Sequence, residues 1–246
     1  MTTAPTPAPQ TRYEWHLEVV EAFDVGPRLR RIVFTAAHLD ELHYQPGQAL
    51  VLQMPLPGGG TGRRDYTIRW LDRATQRLAI DFVQHGSAPA ADWSHAARPG
   101  DRLLAAGPRG RTTLSADADW HLFCADETGL PAVAHMLETM APGAPAFAWI
   151  EIDGPADRIA IETKARLELV WVERDGRPAG PSALLLDRLA GFAFPPGRGR
   201  ACLIGETSNV RAQRHHLIGR GWARDQIASE GYWRPGRIGG HDHVDD

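Results

Sequence analysis

The chain changes its grammar once, near residue 115, and no other feature constrains its fold as much. From residue 13 to about 114, short β-rich runs (YEWHLEVV, RLRRIVF, QALVLQM, RDYTIRW, QRLAIDFVQ and DRLLAAG) are punctuated by Gly and Pro. That spacing predicts a closed antiparallel barrel. PGGGTGRR, 57–64, reads as a flexible loop leading into the fourth run. From Trp120 onward the order becomes strand, helix, strand. WHLFCA is a strand candidate, Thr128 is the expected N-cap, and Pro131 falls near the first helical turn. Val133, Met136, Leu137 and Met140 then follow i, i+3, i+4, i+7 spacing. FAWIEI, LELVWV and ACLIG are further strand candidates, with helices expected over 182–189 and 209–219. The second half is therefore expected to be an open, mostly parallel α/β sheet. The polar stretch TTLSADAD, 112–119, marks the joint. Four parts are expected: a disordered arm (1–12), a barrel (13–115), an α/β domain (116–237) and a flexible tail (238–246).

With 246 residues, 43% hydrophobic, the chain is long enough for two modest domains. Its formal charge of −3 gives no global field for nucleic acid or an anionic membrane. The basic residues are nevertheless unusual, since all are Arg except Lys164. Two cysteines, Cys124 and Cys202, cannot form a disulfide framework or a four-Cys metal site, and their apolar surroundings predict buried packing. A reducing, cytoplasmic setting is the expectation. MTTAPTPAPQ has neither a charged n-region nor an apolar h-region, and no run of about 18 apolar residues occurs, so no membrane insertion is expected.

RRDYTIRW, 63–70, is chemically the richest run. Period-two alternation puts Tyr66, Ile68 and Trp70 on one face, with Arg64 upstream on the same side. A flat aromatic beside a guanidinium suits a planar, anionic cofactor, and the Thr67 hydroxyl suits a ring nitrogen. The same octet also reads as an amphipathic strand with solvated arginines and a core tyrosine, and alone it does not decide. DFVQHG, 81–86, runs into SAPAADW, 87–93, where small residues and Pro89 leave backbone N–H groups free for a pyrophosphate. Asp92 and Trp93 then flank a helical turn; a plain surface loop fits equally. Adjacent His215 and His216 point in different directions on a helix, and HDH at 241–243 lies in an acidic tail, so neither predicts a metal site. G-x-S-x-G and G-x-G-x-x-G are absent.

Taken in order, R-x-Y-T-x-R, DFVQHG, the Pro-Ala loop closed by Trp93, RPGDRLLAAGPRG, CADETGLPAVAHML and GETSNVRAQRHHLIGRGWARDQIASEGYWRPGR resemble the siderophore-interacting protein family of FAD-dependent ferric-siderophore reductases. The likeness covers roughly residues 13–237. It implies an FAD-binding barrel joined to an NAD(P)H-binding α/β domain. Arg64, Asp65, Tyr66 and Thr67 would then grip the flavin and its phosphate, with Asp81, Val83 and His85 on the neighbouring strand and turn. Ala88, Ala90, Ala91 and Trp93 would surround the FAD pyrophosphate. Asp126, Glu127, Thr128 and Gly129 would form one nucleotide turn, and Gly205, Glu206, Thr207 and Ser208 the other. The family pattern is one residue longer at HGSAPAADW and carries Gly and Ser where this chain has Ala88 and Ala91, so one hydroxyl contact to phosphate is absent while backbone donors remain. Gly129 stands where Ala is frequent, a change expected to matter little.

Since the chelates such a family reduces are commonly anionic, Arg109, Arg111, Arg234 and Arg237 become candidate substrate contacts, with Tyr232 and Trp233 covering the flavin or lining the pocket. The activity implied is NADH- or NADPH-driven reduction of a ferric siderophore through FAD by a monomer, without nucleic acid as a partner. A flavin reductase serving ferredoxin or flavodoxin, and a noncatalytic siderophore-binding shell, are the rival readings.

Overall fold

A computed structural model of the chain describes residues 14–84, 88–237 and 242–244. Six strands, β1 (Glu14–Gly26), β2 (Leu29–Thr35), β3 (Ala49–Pro55), β4 (Thr61–Asp72), β5 (Arg77–Val83) and β6 (Arg102–Arg109), close in the order β1-β2-β5-β4-β3-β6. Every neighbouring pair is antiparallel. This is the expected barrel, and alternation explains its filling: Leu17 and Val19, Ile32 and Phe34, Leu50 and Leu52, and Leu78, Ile80 and Phe82 share one buried cluster. Between β5 and β6, helix α1 (Pro89–Ala96) packs Trp93 against Phe34 and Phe82, with ring centroids 6.3 and 6.0 Å apart.

In the second half, β7 (Trp120–Ala125), β8 (Pro145–Ile152), β9 (Arg166–Glu173), β10 (Gly199–Glu206) and β11 (Ile227–Trp233) run parallel, and β12 (Asp242–His243) is antiparallel. Their spatial order is β12-β11-β10-β7-β8-β9. Helix α2 (Leu130–Thr139) covers one face, against Phe123, Ala125, Ala148 and Ile150. Helices α3 (Leu184–Ala190) and α4 (Thr207–Gly219) contribute Leu185, Leu189, Val210 and Leu217 to the other, with Leu122, Cys124 and Trp149. Burial on both faces is why WHLFCA reads as a continuous apolar run. The winding direction reverses between β7 and β10, so the turns leaving those two strands flank a topological switch point.

Several local expectations need correction. Thr61 to Arg64, expected in a loop, already belong to β4 and pair with β3. Strand β4 then carries an irregularity: Ile68 faces Ile80, but Trp70 faces Ala79, which leaves Arg69 in the bulge. Alternation fails beyond it, since Leu71 and not Trp70 packs against the barrel core with Tyr66 and Ile68, while Arg69 is buried at 5% exposure. Gly129, not Thr128, precedes the first residue of α2, because the Thr128 hydroxyl is taken by Asp126. Helix α4 begins two residues earlier than expected, at Thr207, and is capped by Glu206, which accepts from Asn209 N. Part of the expected flexible tail is ordered: β12 extends the sheet, and Val244 is buried. No helix among the described residues is long and apolar enough to cross a membrane.

The two halves share buried surface. Val25, Leu29 and Val83 of the barrel pack into the cluster that contains α2, and the backbone N–H of Arg111 donates to Glu230 on β11 at 2.9 Å.

Candidate active site

An open cleft lies where the barrel meets the sheet, lined by Ala49, Asp65, Thr67, Arg109, Gly110, Glu230 and Tyr232. Strand β4 supplies Asp65 and Thr67 by alternation, and β11 supplies Glu230 and Tyr232 the same way. Thr67 Oγ1 lies 3.5 Å from the Tyr232 hydroxyl, so one barrel side chain and one sheet side chain meet in the cleft. Burial, reinforced by Glu230, pushes the Tyr232 phenol far above its ordinary pKa and keeps it protonated. Asp65 is paired with Arg109 at 2.7 Å. Of the four candidate substrate arginines, Arg109 is thus on the cleft wall but engaged. Arg111 is exposed, Arg234 lies 3.8 Å from Asp242, and Arg237 lies 2.6 Å from Asp242.

Neither Arg64 nor Tyr66 lines the cleft. The half-buried Tyr66 ring packs on Phe82 with centroids 4.3 Å apart, and burial raises its phenol pKa well above the ordinary value. The partly exposed Arg64 donates to the carbonyl of Arg63 at 2.8 Å. On β5, Asp81 is fully engaged: Arg31 grips it through two bonds of 2.6 and 2.8 Å, and Arg69 Nε lies 3.6 Å away. Its carboxylate therefore braces the strands. Val83 faces the interdomain cluster, and His85 lies outside the described residues.

Helix α1 starts with Ala88 in extended conformation at the N-cap, Pro89 in the first turn, and no side-chain cap. Ala90 and Ala91 are buried beside the barrel core, and their first-turn N–H groups have no intrahelical acceptor. That is a backbone cradle for an anion. Trp93 secures it from beneath by stacking on Phe34.

The switch-point turns are built differently from the expectation. Asp126 accepts from Thr128 N at 2.9 Å, Thr128 Oγ1 at 2.5 Å, Glu206 N at 2.8 Å and Trp233 Nε1 at 2.8 Å. Burial raises its pKa, opposed by those hydrogen bonds. One carboxylate thus ties β7, β10 and β11 together. Gly205 is required beside it: φ is +147°, and an added Cβ would sit 2.5 Å from Asp126 Oδ2. Trp233 therefore pins this hub. Glu127 is gripped by Arg174 at 2.9 and 2.5 Å, Glu206 accepts from Ser208 Oγ at 2.5 Å, and Thr207 Oγ1 lies 3.0 Å from the Trp233 carbonyl. The side chains expected to contact nucleotide mostly shape the turns. Gly129 also matters more than expected, because an added Cβ would come within 2.9 Å of Ala125 Cβ and Ile204 Cβ.

Glu230, Glu138 and Arg174 were not singled out by the sequence. Glu230 had a usable signal, since it lies two residues before Tyr232 on the same strand face; Glu138 and Arg174 become visible only through partners distant in sequence.

The uncapped start of α1 and the cleft bearing Thr67 suit a molecule with a pyrophosphate and a polar aromatic ring, and the residues present fit FAD. A closed antiparallel barrel joined to a doubly wound parallel sheet is a ferredoxin-reductase-like fold. Within it, this chain belongs to the siderophore-interacting protein family. The family model described as siderophore-interacting FAD-binding domain matches residues 60–112, and the one described as siderophore-interacting protein matches 118–236. FAD is accordingly the barrel's cofactor.

Ferric vibriobactin reductase ViuB of Vibrio cholerae is 32% identical over 206 residues, covering 78% of this chain and 75% of that protein. An uncharacterised protein of Mycobacterium tuberculosis is 34% identical over 190 residues, covering 71% of this chain. The match spans 65% of that relative's length. The crystal structure of a siderophore utilization protein from T. fusca superposes with a TM-score of 0.86 at 31% identity, covering 94% of this chain and 96% of that one.

Proposed function

We propose that this protein is an FAD-dependent ferric-siderophore reductase drawing electrons from NADH or NADPH. The observation that carries the reading is the cleft in which Thr67 of the FAD-binding barrel meets Tyr232 of the nucleotide-type sheet. It is supported by the resemblance to ViuB, which is named a ferric vibriobactin reductase. When bound, FAD supplies the chemistry that converts a two-electron hydride into single electrons for iron(III). The protein's part is to bind and orient. The amides of Ala90 and Ala91 hold the pyrophosphate, Arg64 pairs with phosphate, and Tyr66 and Thr67 fix the ring's place along β4. The turns at 126–129 and 205–208 receive the nicotinamide nucleotide at the switch point. The exposed Arg111 draws an anionic chelate to the cleft mouth. Two ferric ions are reduced per nucleotide oxidised, with release of one proton.

The test is anaerobic stopped-flow reduction of the FAD-loaded protein by NADH and by NADPH, followed by reoxidation with catecholate, hydroxamate and carboxylate ferric complexes. Loss of the flavin band on both nucleotides and its return with at least one ferric complex is the expected result. Protein that binds no FAD, or reduced protein that leaves every ferric complex untouched, would sink the reading.

A further inference from the structure

Arg69 has no place in the site so far, although it lies two residues beyond Thr67 on β4. Its guanidinium makes a paired contact with Glu138 of α2, NH1 to Oε2 at 2.6 Å and NH2 to Oε1 at 2.5 Å. Behind it, Asp81 lies at 3.6 Å and is itself held by Arg31. The four groups form an alternating row, Arg31, Asp81, Arg69, Glu138, that starts on β2 of the barrel and ends on the other domain's helix. The Arg69 and Asp81 side chains are 6% and 0% exposed, and that of Glu138 is 26% exposed. One turn earlier on the same helix, His135 Nδ1 lies 2.8 Å from the carbonyl of Ile68, the residue between Thr67 and Arg69.

Two contacts on one helical face therefore clamp α2 to the strand segment adjoining Thr67. Helix α2 begins at Leu130, directly after the 126–129 turn, and about 12 Å of rigid helix separates that end from Glu138. A paired guanidinium–carboxylate contact fixes orientation as well as distance. Hydride transfer between groups held on different domains is steep in both.

We propose that Arg69 is a positioning residue for flavin reduction: by gripping Glu138 it sets the first nucleotide turn at a fixed distance from the flavin strand. This rests on the reductase reading above.

The test compares FAD-loaded wild type with Glu138→Gln, which removes the carboxylate of the fork and leaves Arg69 beside Asp81 alone at 3.6 Å, and with Arg69→Lys, which keeps charge but loses the fork. Three quantities are measured: FAD affinity by fluorescence titration, amide hydrogen exchange over residues 130–139, and anaerobic reduction by saturating NADH or NADPH. The expected result is FAD affinity within about twofold of wild type, faster exchange in α2, and reduction slowed by at least about tenfold with little change in KM. Reoxidation of dithionite-reduced variants by a ferric chelate, which bypasses the nucleotide, is expected at the wild-type rate. Wild-type reduction rates in both variants overturn the proposal, whatever the exchange shows, as does a rate loss that follows lost FAD. Wild type that binds FAD but accepts no hydride from either nucleotide overturns the reductase reading as well, a result separate from any variant-specific one.

Discussion

Gly129 passes between β7 and β10 with no room for a side chain, although its φ of −87° is one that any residue adopts. Substituting Ala forces a methyl against Ala125 and Ile204, both in strands that cannot easily retreat. Gly129→Ala is expected to cost about 1–3 kcal/mol, read as a lower urea midpoint with an unchanged slope. His121 makes a different prediction. Its ring is buried, lies stacked 6.0 Å from Phe123, and accepts from Ser115 N at 3.2 Å. Burial, then the nearby Arg200, hold its pKa down to about 4, against 6.5 ordinarily. As pH falls below 6.5 the unfolded chain binds the proton first, so the contribution is full above 6.5 and is lost progressively towards about 4. Within that window this group weakens folding by up to about tenfold per pH unit. His121→Gln retains an acceptor and is expected to show a smaller stability loss than wild type between pH 7 and pH 5 in urea titrations.

At the scale of elements, α1 shows stability and binding in opposition. Ala88 has the extended backbone of an N-cap but no oxygen to offer the first-turn amides. Ala88→Asp should supply one and stabilise the helix by about 1 kcal/mol. The same carboxylate would occupy the amides meant for pyrophosphate and repel it. The expected outcome is a higher melting temperature without FAD together with FAD affinity at least about tenfold weaker, from lost anion binding; unchanged affinity would place the pyrophosphate elsewhere. Most elements are legible in the sequence for physical reasons. Barrel strands bury alternate residues, and β7 buries all of its own, so each leaves a recognisable period. Strand β11 is poorly legible because IASEGYW mixes Ser, Glu and Gly with apolar residues; its place beside β10 makes it a strand. Arg69 escapes for two reasons: a helix of the other domain covers the face it shares with Thr67, and its partner Glu138 lies 69 residues away. Asp81 and Asp126 were legible as important positions, but their carboxylates serve the frame, and only the fold shows which donors they meet.

For the whole molecule, the chemistry proposed requires two domains to behave as one body. The shared cluster of Val25, Leu29 and Val83 with α2 supplies the apolar part, and the Arg69–Glu138 and Arg111–Glu230 contacts supply direction. A final consequence follows from β12. Glu230 pairs with His243 and Gly231 with Asp242, Ser229 Oγ donates to the Val244 carbonyl at 2.8 Å, and Val244 is buried with α4 and β10. Those residues shield the outer edge of β11, which would otherwise offer unpaired backbone groups to a second molecule. A chain shortened to end at Gly240 is expected to form reversible aggregates, seen as sedimentation that quickens with protein concentration. The full chain should sediment independently of concentration over the same range, which makes this short segment a determinant of solubility and a poor place to trim when preparing the protein for crystallisation.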